Sequence, residues 1–169
     1  MERSNNPVPP EQEPSSEVQA FDLDVLTINQ IVRLNRMINA GHYDRNLNAA
    51  LPDASPTLLD LLSNSIEALP NRDPDKAREL LTALATSEHK DDRNMAAYCA
   101  GSLLNHDYEL TRDTLAFMYA DGKEEYSEAS EIAETAISDL EGSLTPEQHK
   151  DFEARVGWYR RLHGTIDEV

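Results

Sequence analysis

The chain has 169 residues, of which 39% are apolar and only 6% aromatic, and its formal net charge is −17. This length supports one domain with a continuous core, and the excess of acidic residues argues against direct binding to nucleic-acid phosphates. A single cysteine excludes an intramolecular disulfide framework and a cysteine-rich zinc site. No apolar run approaches the ~18 residues of a membrane span, so we expect a cytoplasmic protein without membrane contact.

Composition divides the chain into three segments. Residues 1–20 are rich in proline and glutamate and have almost nothing to bury, which predicts a disordered acidic tail. Residues 21–165 carry leucine, isoleucine and alanine at helical spacing and are predicted to form a single all-α domain. Residues 166–169 follow a terminating glycine and are predicted to be a flexible C-terminus.

The first helix is predicted to begin at Asp22 or Asp24, either of which can cap it, and to end near Asn39. The alternation of apolar residues over 21–25 could also begin a strand, but no partner strand is evident elsewhere. A second, short helix is predicted over 43–51.

Six further helices are predicted after this point, each with an apolar stripe and five of them with a start signal. The signals are Ser55-Pro56, Asp73-Pro74, an aspartate cap at two other starts and the capping box that begins at Thr145. The predicted helices cover residues 55–69, 73–86, 91 or 92 to 104, 107–120, 124–141 and 145–163.

These six helices form three consecutive pairs with a recurring register. When the first helices of the pairs are superposed, equivalent apolar or small residues recur at spacings of 35 and then 36 residues. A fixed period of this size is typical of arrays in which each helix pair covers its neighbour. The equivalent positions are Leu62, Ala97 and Ala133; Ile66, Gly101 and Ile137; and Leu69, Leu104 and Leu140.

The segment from Asp91 to Gly101, DDRNMAAYCAG, resembles the first helix of a HEAT-like or armadillo-type repeat, in which an acidic residue and an arginine precede small residues. The resemblance covers roughly residues 55–163. It implies a short right-handed α-solenoid of about three antiparallel helix pairs, preceded by one or two N-terminal helices. It also implies that the second helices line a concave binding surface. A tetratricopeptide-like array and an irregular helical bundle remain alternatives.

Sequence motifs for chemistry are missing. None of the five histidines has the H-E-x-x-H or E-x-x-H spacing of helical zinc and di-iron sites. The acidic run that begins at Asp73 lacks the glycine and the bidentate glutamate of a calcium-binding EF-hand loop. We therefore predict no catalytic residue, no metal and no cofactor.

An arginine occurs on the second helix of each pair, and tyrosine occurs on the last two of these helices. Both residue types are favoured anchors of protein interfaces. The alternative is that the tyrosines are core residues and that the arginines pair with Glu79, Asp113 and Asp151 on their own helices. The predicted partner-binding residues are Arg78, Arg112, Tyr119, Arg155, Tyr159 and Arg160.

An acidic face is predicted on the helix over 124–141, opposite its apolar stripe. It is interpreted either as a contact surface for a basic partner or as a solvated helix face. Its residues are Glu124, Glu128, Glu131 and Glu134.

The sequence therefore predicts a non-enzymatic protein–protein interaction module, an adaptor or scaffold that uses a helical-repeat surface. Its predicted partner is another protein, and the net charge of −17 favours a basic one. The alternative is an acidic inhibitor or immunity-type protein that blocks a basic, nucleic-acid-binding enzyme. A third hypothesis is a helical enzyme with a site assembled across repeats.

Overall fold

The computed structural model describes residues 21–41, 57–121 and 123–164, and all regular structure in these ranges is helical. The predicted tail over 1–20, the short helix over 43–51 and the C-terminus over 166–169 lie outside the described residues. The all-α prediction is confirmed for the described part of the chain. The α-helices are α1 (Ile28–Asn39), α2 (Leu58–Ala68), α3 (Pro74–Ala85), α4 (Lys90–Cys99), α5 (Tyr108–Ala120), α6 (Ser127–Leu140) and α7 (Pro146–Leu162).

Short 3₁₀ turns flank several of these helices. Three of them directly follow α2, α4 and α6, where the sequence predicts that the helix simply continues or stops. A tighter turn satisfies the last free carbonyls of a helix and redirects the chain toward the next element. The 3₁₀ turns are Leu23–Val25, Leu69–Asn71, Ala100–Leu103, Glu124–Tyr126 and Glu141–Ser143.

Helix α1 begins later than either predicted aspartate cap. Thr27 and Gln30 form a reciprocal capping box, in which Thr27 N donates to Gln30 Oε1 at 2.8 Å and Gln30 N donates to Thr27 Oγ1 at 3.3 Å. Asp22 instead accepts from the backbone of Asp24 and caps the preceding 3₁₀ turn. Two reciprocal hydrogen bonds satisfy more free backbone groups than one aspartate does, which explains the later start.

Three other helix starts depend on the same local chemistry. Asp73, Asp107 and Thr145 cap α3, α5 and α7 through the side-chain hydrogen bonds that the sequence predicts. Helix α4 differs, because it begins at Lys90 and contains both predicted caps, Asp91 and Asp92, in its first turn, where Asp92 is buried.

The core lies where α4 and α5 meet the remaining helices. Helix α4 packs against α1, α2, α3 and α6, and α5 packs against α3, α6 and α7. Leu62, Ala97 and Ala133, which the sequence register makes equivalent, are all fully buried. Small residues at two of these positions allow the helices to approach closely.

Two ionic contacts connect the helices, one between a buried aspartate and a half-exposed arginine and one between two buried side chains. Asp92 accepts from Arg36 Nε of α1 at 2.8 Å and from Ser87 Oγ at 2.7 Å. Arg93 Nη2 is 2.6 Å from Asp121 Oδ2 at the end of α5, and its guanidinium lies over the ring of Tyr126. The aspartate and arginine that carry the repeat resemblance therefore each link α4 to a different part of the chain.

Within the described ranges, no helix is both long enough and apolar enough to cross a membrane.

Candidate interaction surface

Five of the six predicted partner-binding residues lie on α5 and α7, which pack against each other. Arg78 is separate, because it lies on α3 and bridges to α5. Its Nε donates to Asp107 Oδ2 at 2.8 Å, and its Nη1 donates to Asp75 Oδ1 at 2.7 Å. Asp107 is also the cap of α5. Arg78 thus stabilises the packing of α3 on the start of α5.

An ion cluster joins α5 to α7. The buried guanidinium of Arg112 contacts Asp113 Oδ1 through Nη2 at 2.8 Å and Asp151 Oδ2 through Nη1. Tyr108 donates its phenol hydrogen to the same Asp151 oxygen at 3.0 Å. Arg155 Nε lies 2.8 Å from Asp113 Oδ1, so it pairs across to α5 rather than with Asp151 on its own helix.

Protonation equilibria in this cluster follow from the same contacts. Burial disfavours the charged form of Arg112, but hydrogen bonds to Asp113 and Asp151 outweigh it and raise the pKa of the guanidinium. The hydrogen bond from Arg112 lowers the pKa of Asp151 against the opposing effect of burial. Burial, and then the hydrogen bond to Asp151, raises the pKa of Tyr108 to about 12. At neutral pH the cluster is internally paired and offers no group poised for proton transfer.

Aromatic rings extend from the cluster along the second half of α7. The ring of Tyr159 makes edge contacts with Phe117 of α5 and with Trp158, at centroid distances of 5.4 and 4.8 Å. The guanidinium of Arg155 lies 5.3 Å from the centre of the Trp158 ring. Burial, followed by the nearby charge of Asp113, raises the pKa of Tyr159.

Two large apolar residues of α7 remain exposed beside these rings. Trp158 is 42% exposed and Leu162, one helical turn later, is 62% exposed. The sequence stripe places Leu162 on the inner face with Phe152, and only Phe152 is buried. The spacing of Trp158 and Leu162 was visible in the sequence, but nothing there showed that none of the described helices covers them. We call these two residues the α7 apolar stripe.

On the other side of α7, Arg160 contacts Tyr119 of α5. The guanidinium of Arg160 is 5.0 Å from the centre of the Tyr119 ring. Both residues line a groove of about 300 Å³ between α6 and α7. These two helices pack on α5 more extensively than on each other, which leaves the groove open. We call it the α6–α7 groove.

The acidic face of α6 is exposed as predicted at three of its four residues. Glu128, Glu131 and Glu134 are exposed on α6, and the side chain of Glu124 lies outside what the structure describes. Because α4 and α5 pack against the opposite side of α6, these carboxylates point away from the core.

The described residues contain no group of three or more histidine, cysteine, aspartate or glutamate side chains arranged to hold a metal ion. The thiol of Cys99 is buried, and desolvation raises its pKa further from neutrality, so it is not an activated nucleophile.

A comparison of the chain with protein-family models, curated proteins and solved structures finds no match.

Proposed function

We propose that this protein is a non-enzymatic interaction module, an adaptor or scaffold that binds another protein through α7. The observation that carries the proposal is the α7 apolar stripe, in which Trp158 and Leu162 are exposed one turn apart. The guanidinium of Arg155 lies over the Trp158 ring and forms an ion pair with Asp113 of α5. Tryptophan and arginine are enriched among the residues that dominate interface energies, and a rigid stripe loses little entropy on binding.

We further propose that α2 to α7 form a short right-handed array of three HEAT-like helix pairs, with α1 at its N-terminal end. The packing of α4 between α2 and α6, and of α5 between α3 and α7, supports this arrangement. In such an array the first helices form one layer and the second helices the other. Helix α7 would then be the last second helix, with its outer flank free for a partner.

The test compares proteins retained from a native lysate by the wild-type chain and by a Trp158→Ala/Leu162→Ala variant. We expect at least one protein to be retained by the wild type and lost by the variant. A matched control is Val25→Ala/Tyr98→Ala, which removes two other large exposed residues, 75% and 58% exposed, away from α7. A binding pattern that both double variants share with the wild type contradicts the proposal.

Once the retained protein is purified, its dissociation constant from the wild type and from the variant gives the size of the effect. Loss of a dominant interface residue costs about 2 kcal/mol or more, so the Trp158→Ala dissociation constant should rise by roughly 30-fold. Trp158 is the only tryptophan in the chain, so its emission reports directly on this surface. Burial of Trp158 by the partner should shift the emission to shorter wavelength, and an unchanged spectrum in the complex argues against contact at α7.

A second candidate function is inhibition of a basic, nucleic-acid-binding enzyme. It is favoured by the net charge of −17 and by the exposed carboxylates Glu128, Glu131 and Glu134 on α6. Affinity that depends on charge falls steeply with added salt, whereas docking on the α7 apolar stripe should persist. Elution of the partner in steps of rising salt separates the two functions.

A further inference from the structure

The α6–α7 groove has an apolar floor and an acidic rim. Ile137 of α6, Leu144 of the connecting segment and Val156 of α7 contribute apolar surface. Glu141 and Glu153 contribute carboxylates from opposite sides. A groove with this pattern is complementary to a segment that is apolar on one side and basic on the other.

The wall of the groove contains Gly157, an unusual residue for the interior of a helix. It lies in the interior of α7, where glycine is less favourable than alanine because it loses more conformational freedom. A Cβ atom at this position would meet only the tip of Arg161, at an ordinary 3.7 Å. Packing within the protein therefore does not require glycine here. A close approach of another chain to the surface of α7 would favour a small residue here, since a residue without a bulky side chain lets two backbones come together.

We propose that the α6–α7 groove binds a basic amphipathic helix of the partner protein, an inference that rests on the proposed function. The apolar face of that helix packs on Ile137 and Val156, with its closest approach at Gly157. Its lysine or arginine side chains pair with Glu141 and Glu153 on the rim. The partner helix thus lies across the side of α7 opposite the ion cluster.

The charge of the groove favours a basic helix over other occupants. Among the described residues that line the groove, the one arginine or lysine is Arg160, whose guanidinium already lies over the Tyr119 ring. His149 also lines the groove, and its Nε2 lies 2.9 Å from the backbone oxygen of Glu141. An acidic peptide or a phosphate group would meet Glu141 and Glu153 without a compensating cluster of cations. A second copy of this chain would bring another net charge of −17 to an acidic surface, so self-association is disfavoured.

The experiment is selection of a displayed library of random 16-residue peptides against the full chain. We expect the enriched peptides to be basic and to place apolar residues at three- and four-residue spacing. Their dissociation constants are then measured by fluorescence anisotropy with labelled synthetic peptides. Enrichment of acidic peptides, or of none, overturns the inference.

Two groove variants test whether the enriched peptides occupy this site. Gly157→Leu fills the groove with a good helix former, and we expect affinity to fall at least about tenfold. Gly157→Ala is its matched control, which should raise the melting temperature and weaken binding much less. If Gly157→Leu binds the peptides as the wild type does, the groove is not their site.

Charge reversal tests the acidic rim. Glu141→Lys/Glu153→Lys should weaken binding about tenfold. Glu79→Lys/Glu88→Lys changes the net charge equally at exposed residues that do not line the groove, and it should have a smaller effect. Equal losses in both double variants would mean that only overall charge matters, which overturns the inference.

The same peptides separate this inference from the proposed function. Peptides that lose affinity for Trp158→Ala but not for the groove variants would leave the interaction module standing and remove the groove as its site. The proposed function fails, by contrast, if the full chain that carries Trp158→Ala/Leu162→Ala retains the same partner as the wild type.

Discussion

The buried pair between Arg93 and Asp121 gives the sharpest stability prediction. Both side chains are almost wholly inaccessible, at 5% and 3% exposure, and Arg93 Nη2 lies 2.6 Å from Asp121 Oδ2. Substitution of Asp121 by Asn keeps the shape of the side chain but removes its charge. The guanidinium of Arg93 then stays buried without a counter-charge, and the free energy of unfolding should fall.

The size of this loss follows from what remains around the guanidinium. Removal of one partner of a buried pair costs about 3–5 kcal/mol. The rings of Tyr126 and Phe117, at 4.0 and 5.0 Å from Arg93 Cζ, continue to stabilise the cation and offset part of the cost. We therefore expect about 3 kcal/mol, which for a chain of this size lowers the melting temperature by roughly 6–12 °C.

Urea denaturation followed by far-ultraviolet circular dichroism measures the change, and the chain offers a matched control. Arg72 and Asp24 form an exposed pair at 3.2 Å, with side chains 43% and 52% exposed. Asp24→Asn makes the same chemical change there and should cost less than about 1 kcal/mol. Equal losses for Asp24→Asn and Asp121→Asn would refute the reasoning, because burial would then contribute nothing.

A double-mutant cycle separates the pair from the fold around it. In an Arg93→Met background no buried guanidinium remains beside Asp121, so Asp121→Asn should cost much less than it does in the wild type. If the cost is the same in both backgrounds, Asp121 stabilises the end of α5 by another route, such as its hydrogen bond from Lys123 N at 3.2 Å.

Two further predictions concern the ion cluster. The pKa of Asp151 is lowered by its hydrogen bond from Arg112, so its stabilisation is present above the ordinary carboxyl pKa and is lost as the pH falls through the lowered one. Asp151→Asn should therefore be less stable than the wild type at neutral pH but not in acid; a gap independent of pH contradicts this. Tyr108, with its pKa raised to about 12, should stabilise the fold below about pH 10 and lose that contribution as the pH rises through about 12. The tyrosinate absorbance of the wild type minus that of Tyr108→Phe should show one group ionising near the higher value, and ionisation near 10 would contradict it.

The starts of α3, α5 and α7 were predicted correctly because the hydrogen bonds that cap these helices are local. The caps at Asp73, Asp107 and Thr145 each bond to a backbone group three residues away, so the sequence contains both partners. The start of α1 was predicted too early because Asp22 and Thr27 both offer a cap. Only Thr27 has a glutamine three residues later to complete the reciprocal box.

The ion cluster could not be predicted in detail because its pairs depend on helix packing. Arg112 and Asp151 are 39 positions apart, and Arg155 and Asp113 are 42 apart. The sequence offered partners on the same helix, and for Arg155 the packing of α7 on α5 provided a different one. The exposure of Leu162 has a similar origin, since periodicity shows which residues share a face but not where a neighbouring helix ends.

Many arginines of this acidic chain form ion pairs with carboxylates of the same chain. Among the described residues, at least six arginines form ion pairs, and each of the six has one partner at least 28 positions away, so these residues hold distant segments together. They are Arg36, Arg72, Arg78, Arg93, Arg112 and Arg155.

The outward surface is consequently more acidic in character than the arginine content suggests. The carboxylates of α6 remain exposed while the arginines beside it on α4 and α5, Arg93 and Arg112, are buried in pairs. In the interaction that we propose, such a surface would attract a basic partner over distance, and Trp158 and Leu162 would supply the short-range apolar contact that determines how long the complex lasts. Charge and apolar contact would then act at different stages of one encounter, and α7, which borders both the acidic groove and the apolar stripe, is the element where they would meet.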